Sequence, residues 1–237
     1  MKRHLRIPLF LLISLLNSLA SYASNEMSFH QLGVKTGMSD NYIQAIERDK
    51  YGFMWFATRD GLNRYDGYHF KTYTTLRQGA YNNSVEWVAE DAAGNIWIKT
   101  PVNYCFYDRE MDELDNRTEL LLHKIGIFES PRQLFIDDDK NLWCVADNTL
   151  YYYIFSDETL YKQSLPGSVN IADMACRNKR CYILMTDGNV INIDWMHKSI
   201  TKLFHTEIPL MCLTFIWTFL PSFGCTPRTA RMSNVIL

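Results

Sequence analysis

The stretch DKYGFMWFATRDGLNRYD, Asp49 to Asp66, comes back as DAAGNIWIKTPVNYCFYD, Asp91 to Asp108, and this repetition constrains the fold more than any other feature of the chain. One offset of about 42 residues relates Asp49 to Asp91, Gly52 to Gly94, Trp55 to Trp97, Thr58 to Thr100, Tyr65 to Tyr107 and Asp66 to Asp108. A third copy carries Asp137 and Trp143 in the same frame, with Lys140 at the Gly position, and a fainter fourth has Tyr182 in the Trp place. A period of this length built from short β segments is the sign of a propeller blade.

Physical chemistry gives each repeated residue a structural reason. Gly52 and Gly94 fall where the turn joining two antiparallel strands needs a positive φ, which a Cβ disfavours. Asp49 and Asp91 are placed to accept backbone donors of that turn. Trp55, Trp97 and Trp143 occur once per repeat at one strand position, which predicts large rings packed between adjacent sheets.

The strand pattern predicts an all-β fold: a β-propeller of about four blades, each of four antiparallel strands, forming an open partial propeller over residues 24–207. The blades are expected at about 37–75, 82–118, 130–163 and 169–205. Composition agrees, because 47% hydrophobic and 21% charged residues are ordinary for a globular core, and the 14% aromatic content sits among Ile, Val and Thr. In blade two the fourth strand falls somewhere in Met111 to Thr118. The segment Glu119 to Glu129 reads equally as an inserted helical turn or as part of an outer strand. Phe29 to Leu32 reads as a lone outer strand, of the kind that completes a last blade.

The two ends differ from the repeat. Lys2, Arg3 and Arg6, the apolar run Ile7 to Leu16 and the small residues before Ala23 read as a cleavable signal peptide over 1–23, because the run is shorter than the ~20 residues of a membrane-crossing helix. This implies a periplasmic location. From Ile208 the pattern fails, and 208–237 reads as an irregular apolar tail out of register with the repeat, as a frame change or truncation would produce.

Catalytic chemistry finds little support in the motifs. The chain has no Gly-rich phosphate loop, no Gly-x-Ser-x-Gly elbow and no His-Glu-x-x-His helix, so no catalytic residue and no cofactor is nominated. Asp137-Asp138-Asp139 lacks the Gly and distal Glu of a calcium loop and reads as a solvated acidic turn, and no zinc spacing is present, so no metal ligand is nominated either. A net charge of −2 offers no basic surface for nucleic acid. The six cysteines are too scattered for a disulfide framework, although Cys176 and Cys181 flank a turn that sets them opposite each other. The loops Thr58 to Gly61 and Thr100 to Asn103 lie at equivalent blade ends, where propellers carry binding, but ligand contacts stay unassigned.

The residues GMSDNYIQAIERDKYGFMWFATRDGLNRYDGYHFKTYTT, Gly37 to Thr75, resemble the opening blade of the two-component regulator propeller, the periplasmic sensor region of Bacteroides-type hybrid two-component systems. The resemblance extends more loosely through Asp194. It implies a periplasmic sensor that binds glycan-derived oligosaccharides, truncated before the kinase, receiver and DNA-binding parts and not itself an enzyme. An open set of blades further implies self-association through unpaired faces. The competing expectations are a propeller enzyme acting on polysaccharide and a non-functional remnant of a disrupted sensor gene.

Overall fold

The structure is a computed structural model that describes residues 30–74, 83–166, 171–177, 179–195, 197 and 199–205. The expected signal peptide, Phe29, the tail from Ile208, Cys212 and Cys225 all lie outside the described residues. The chain divides into two compact units, Met1–Gln31 with Val235–Leu237, and Leu32–Asn234. Of the first, only His30 and Gln31 are described, and Gln31 forms an isolated bridge.

The second unit holds sixteen described strands in four sheets of four, each a simple antiparallel meander. The first sheet comprises β1 (Ile43–Arg48), β2 (Met54–Thr58), β3 (Gly61–Tyr65) and β4 (Phe70–Tyr73). The second comprises β5 (Trp87–Glu90), β6 (Ile96–Lys99), β7 (Tyr104–Asp108) and the three-residue β8 (Glu113–Asp115). The third runs β9 (Pro131–Ile136), β10 (Leu142–Ala146), β11 (Thr149–Ile154) and β12 (Thr159–Ser164). The fourth runs β13 (Ile171–Arg177), β14 (Arg180–Met185), β15 (Asn189–Asp194) and β16 (Ser199–His205). Strand order within every sheet follows the chain, as in propeller blades.

Alternation along each strand sends successive side chains to opposite sheet faces, so each middle blade contributes to two cores. Trp55, Ala57 and Leu62 of the first blade pack with Val88, Ile96, Ile98 and Cys105 of the second. Trp97 and Tyr104 of the second pack with Leu142, Cys144 and Tyr151 of the third. Trp143, Val145 and Tyr152 of the third pack with Met174, Cys181 and Ile183 of the fourth. Trp55, Trp97 and Trp143 are each no more than 1% exposed, so one indole per interface fills the space between blades. Removing such a ring costs about 3–5 kcal/mol.

The ambiguous segment after blade two resolves into a short helix, α1 (Glu119–Leu122), continued by a 3-10 turn at His123–Ile125 that ends on Gly126 in the left-handed region. Leu122 and Ile127 are buried in the core shared by the second and third blades. The insertion follows the shortest strand of its blade, β8.

Candidate functional site

The repeated Asp, Gly and Trp converge on one recurring turn. In the first blade Asp49 N–H donates to the Phe53 carbonyl and Gly52 N–H to the Asp49 carbonyl. Asp91 with Asn95 and Gly94, and Asp137 with Asn141 and Lys140, repeat the pattern. One carboxylate oxygen of each Asp accepts backbone N–H groups of its turn. The other accepts the indole N–H of the Trp six residues on, at 3.0 Å for Asp49–Trp55, 2.8 Å for Asp91–Trp97 and 2.8 Å for Asp137–Trp143. The motif therefore couples the turn to the inter-blade ring, a link the sequence frame alone does not show. Burial raises the Asp137 carboxyl above its ordinary range, opposed by the hydrogen bond from Trp143. Lys140 holds the third turn in the left-handed region at φ 63, where Gly52 and Gly94 stand at 92 and 90.

The nominated loops are closed on themselves. Thr58 Oγ1 donates to the Gly61 carbonyl at 2.8 Å, and Thr100 Oγ1 donates to the Asn103 carbonyl at 3.0 Å. Asp138 and Asp139 extend from the Asp137 turn, and no metal-holding group of three or more His, Cys, Asp or Glu occurs among the described residues. Cys176 and Cys181 are direct cross-strand partners, and both are buried.

Sequence reasoning missed a second recurring position. The hairpins closing β7, β11 and β15 pair Asp108 with Glu113, Ile154 with Thr159 and Asp194 with Ser199, so Arg109, Phe155 and Trp195 each open the same turn. Arg109 reaches Asp49 and Trp195 reaches Trp143 of the preceding blade, while Phe155 lines a cavity together with Asp91 and Trp97. Arg109 Nη2 reaches Asp49 Oδ2 at 3.3 Å and donates to the Gly94 carbonyl at 3.2 Å, with its guanidinium 4.4 Å above the Tyr51 ring. Trp195 lies 6.4 Å from Trp143, 6.3 Å from Tyr152 and 5.7 Å from Tyr161, ring centre to ring centre. Phe155 meets Tyr153 of its own blade edge-on at 4.9 Å. The signal that could have found this position is spacing: Arg109 follows Trp97 by the same interval as Phe155 follows Trp143.

Beside Phe155 the structure holds a cavity of about 530 Å³ between the second and third blades. Its lining includes Asp91, Trp97, Tyr153 and Phe155, Leu121 and Ile125 of the insertion, and the polar Asn95, Lys124 and Glu158. Burial, and then the Glu158 charge, push the Tyr153 phenol up, so it is a hydrogen-bond donor at neutral pH.

A polar hub joins the first two blades elsewhere. Asp112 accepts from Tyr73 and Tyr107 at 2.6 and 2.7 Å and pairs with Lys71 and Arg64. Although burial opposes ionisation, the bonds from Lys71, Tyr73 and Tyr107 hold its carboxyl well below the usual range. Arg64 lies over the rings of Phe53, Trp55, Tyr73 and Tyr107, so the hub is packed as well as paired.

Residues 37–60, which contain β1, the Asp49 turn and β2, match the family model of the two component regulator propeller. The first blade is therefore similar to a two component regulator propeller repeat. A 37-residue stretch is 51% identical to Histidine kinase P4 of Formosa agariphila, covering 16% of this chain and 3% of that protein. The extracellular domain of a hybrid two component system from B. thetaiotaomicron superposes with a TM-score of 0.51 at 22% identity, over 75% of this chain and 26% of that one. A second such domain from the same organism gives a TM-score of 0.44 at 17% identity, over 73% and 31%. The chain thus spans about a quarter of the first solved domain, and the likeness establishes the propeller fold.

Proposed function

We propose that this chain is a sensor module of a hybrid two-component signalling protein, acting outside the cytoplasm and binding glycan-derived oligosaccharides rather than transforming them. The observation that carries the reading is the regulator-propeller match at residues 37–60, seated on the first of four consecutive blades. The short stretch shared with a protein named as a histidine kinase supports coupling to phosphotransfer in another segment or partner. The likeness to an extracellular domain supports placement beyond the inner membrane. Among the described residues no helix is long and apolar enough to cross a membrane.

The test is direct. The exported chain is titrated with oligosaccharides released from a panel of plant, algal and host glycans, and both binding and turnover are followed. Saturable binding without product supports the sensor reading; hydrolysis or elimination of the bound glycan refutes it. Self-association through blade faces is a further part of the proposal, and sedimentation at several concentrations checks it.

A further inference from the structure

We infer that the cavity between the second and third blades is a ligand site for one hydroxylated ring, a pyranosyl unit of the oligosaccharide. The inference deepens the sensor reading and rests on it for the ligand class. Its location rests on a comparison internal to this molecule.

The three inter-blade grooves share one frame but differ in what fills them. In the first, Arg109 occupies the space beside Asp49 and lies over the Tyr51 ring. In the third, the Trp195 ring packs against Trp143 and Tyr161. In the second, Ala93 stands two residues after Asp91, where Tyr51 stands two after Asp49, and Phe155 makes its ring contact within its own blade. Loss of the Tyr51 ring and of the Arg109 guanidinium at the matching places leaves the 530 Å³ space. That volume lies within the ~300–1,000 Å³ range of small-molecule sites.

The chemistry of the lining suits a ring with an apolar face and a polar edge. Tyr153 and Phe155 supply aromatic surface. The Asn95 amide nitrogen is held by Asp91 Oδ2 at 2.8 Å, taking the place Arg109 has at Asp49, and this fixes the amide oxygen as a spare acceptor. Glu158 is a second acceptor, while Lys124 and the protonated Tyr153 phenol are donors. Acceptors and donors together match hydroxyl groups, each of which both gives and receives a hydrogen bond.

The test plugs the groove with this protein's own solution. The double variant Ala93→Tyr/Phe155→Arg rebuilds the first groove's filling in the second. Full-length wild type and variant are titrated calorimetrically with cellobiose, maltose, N,N′-diacetylchitobiose and arginine methyl ester, followed by any oligosaccharide the wider panel identifies. At least tenfold weaker saccharide binding by the folded variant is the expected result. Undiminished saccharide binding by that variant overturns the site and leaves the sensor reading standing. No saccharide binding by wild type overturns the sensor reading's ligand class and this inference with it. Saturation by arginine methyl ester in the absence of saccharide binding overturns the ring chemistry. If the double variant fails to fold, the exposed substitutions Lys124→Ala and Glu158→Gln decide the matter: a several-fold weakening in each supports the site, and unchanged affinity in both overturns it.

Discussion

The Lys140 ammonium pairs with the Glu47 carboxylate, so the turn of the third blade is tied to the inner strand of the first. The Lys140 carbonyl meanwhile accepts the Ala92 N–H at 2.9 Å, and the Lys50 ammonium donates to the Ala93 carbonyl at 2.8 Å. The three turns are therefore linked in series by polar contacts at one end of the blades. Lys140 pays for this role with a left-handed backbone that glycine adopts more easily.

Two substitutions separate these terms. Lys140→Met keeps the backbone strain and leaves the largely buried Glu47 carboxylate without its cation, an expected loss of about 1–3 kcal/mol. Lys140→Gly loses the same pair but relieves the strain, so it should be the milder change by roughly 1 kcal/mol. Urea denaturation of both variants checks the order; Lys140→Gly more stable than wild type would show that the ion pair contributes less than the backbone strain costs.

The Asp–Trp pairs predict a graded series. An Asn at position 49, 91 or 137 keeps one acceptor oxygen and turns an NH2 group toward a donor, so each change should cost about 1–3 kcal/mol. Asp49→Asn is expected to be the most damaging, because among the described residues Asp49 alone of the three also serves an Arg, Arg109, at 3.3 Å. Equilibrium unfolding followed by tryptophan fluorescence reads both the loss and the altered indole environment.

Much of the fold could be read from the chain because the turn and the inter-blade ring demand particular residue types. Asp49, Gly52 and Trp55 are set by a backbone hydrogen-bond pattern, a positive φ and a large ring volume, and few substitutes satisfy these together. The site was not legible for the opposite reason. Arg109, Phe155 and Trp195 occupy equivalent places but are a cation and two different aromatic rings, so no single residue identity marks the position. The helix at Glu119–Leu122 is four residues long, too short for a helical period to stand apart from an outer strand. Strand β8 has only three residues, which show no alternation to read. The Asn95 contribution depends on which partner its amide nitrogen takes, and that is decided by tertiary geometry.

Asp112 should leave a mark on acid unfolding. Its folded-state pKa lies below the ordinary aspartate value of about 3.9, so the stabilisation it gives is fully present above that pH and is lost as pH falls through the folded value. Its side chain is 40% exposed, so solvent screening limits the contribution to about 1 kcal/mol. Asp112→Asn is expected to lower stability at pH 7 by that amount and to flatten the fall in stability below pH ~4. Urea midpoints measured from pH 7 to 3 test this, and parallel curves for the two proteins would contradict it.

Thiol reactivity gives an independent reading of the inter-blade cores. Burial pushes the Cys105 and Cys144 thiols up to about 12, and each packs in a core between two blades. The thiolate is the reactive species, so at pH 8 only about one in 10⁴ of these groups is in nucleophilic form even before access is considered. Neither should be alkylated by iodoacetamide in the native protein, and both should react in 6 M urea. Tandem mass spectrometry after short labelling locates the modified residues. Labelling of Cys105 under native conditions would mean that the first and second blades separate in solution. Labelling of Cys144 would mean the same for the second and third, the pair that encloses the proposed ligand site.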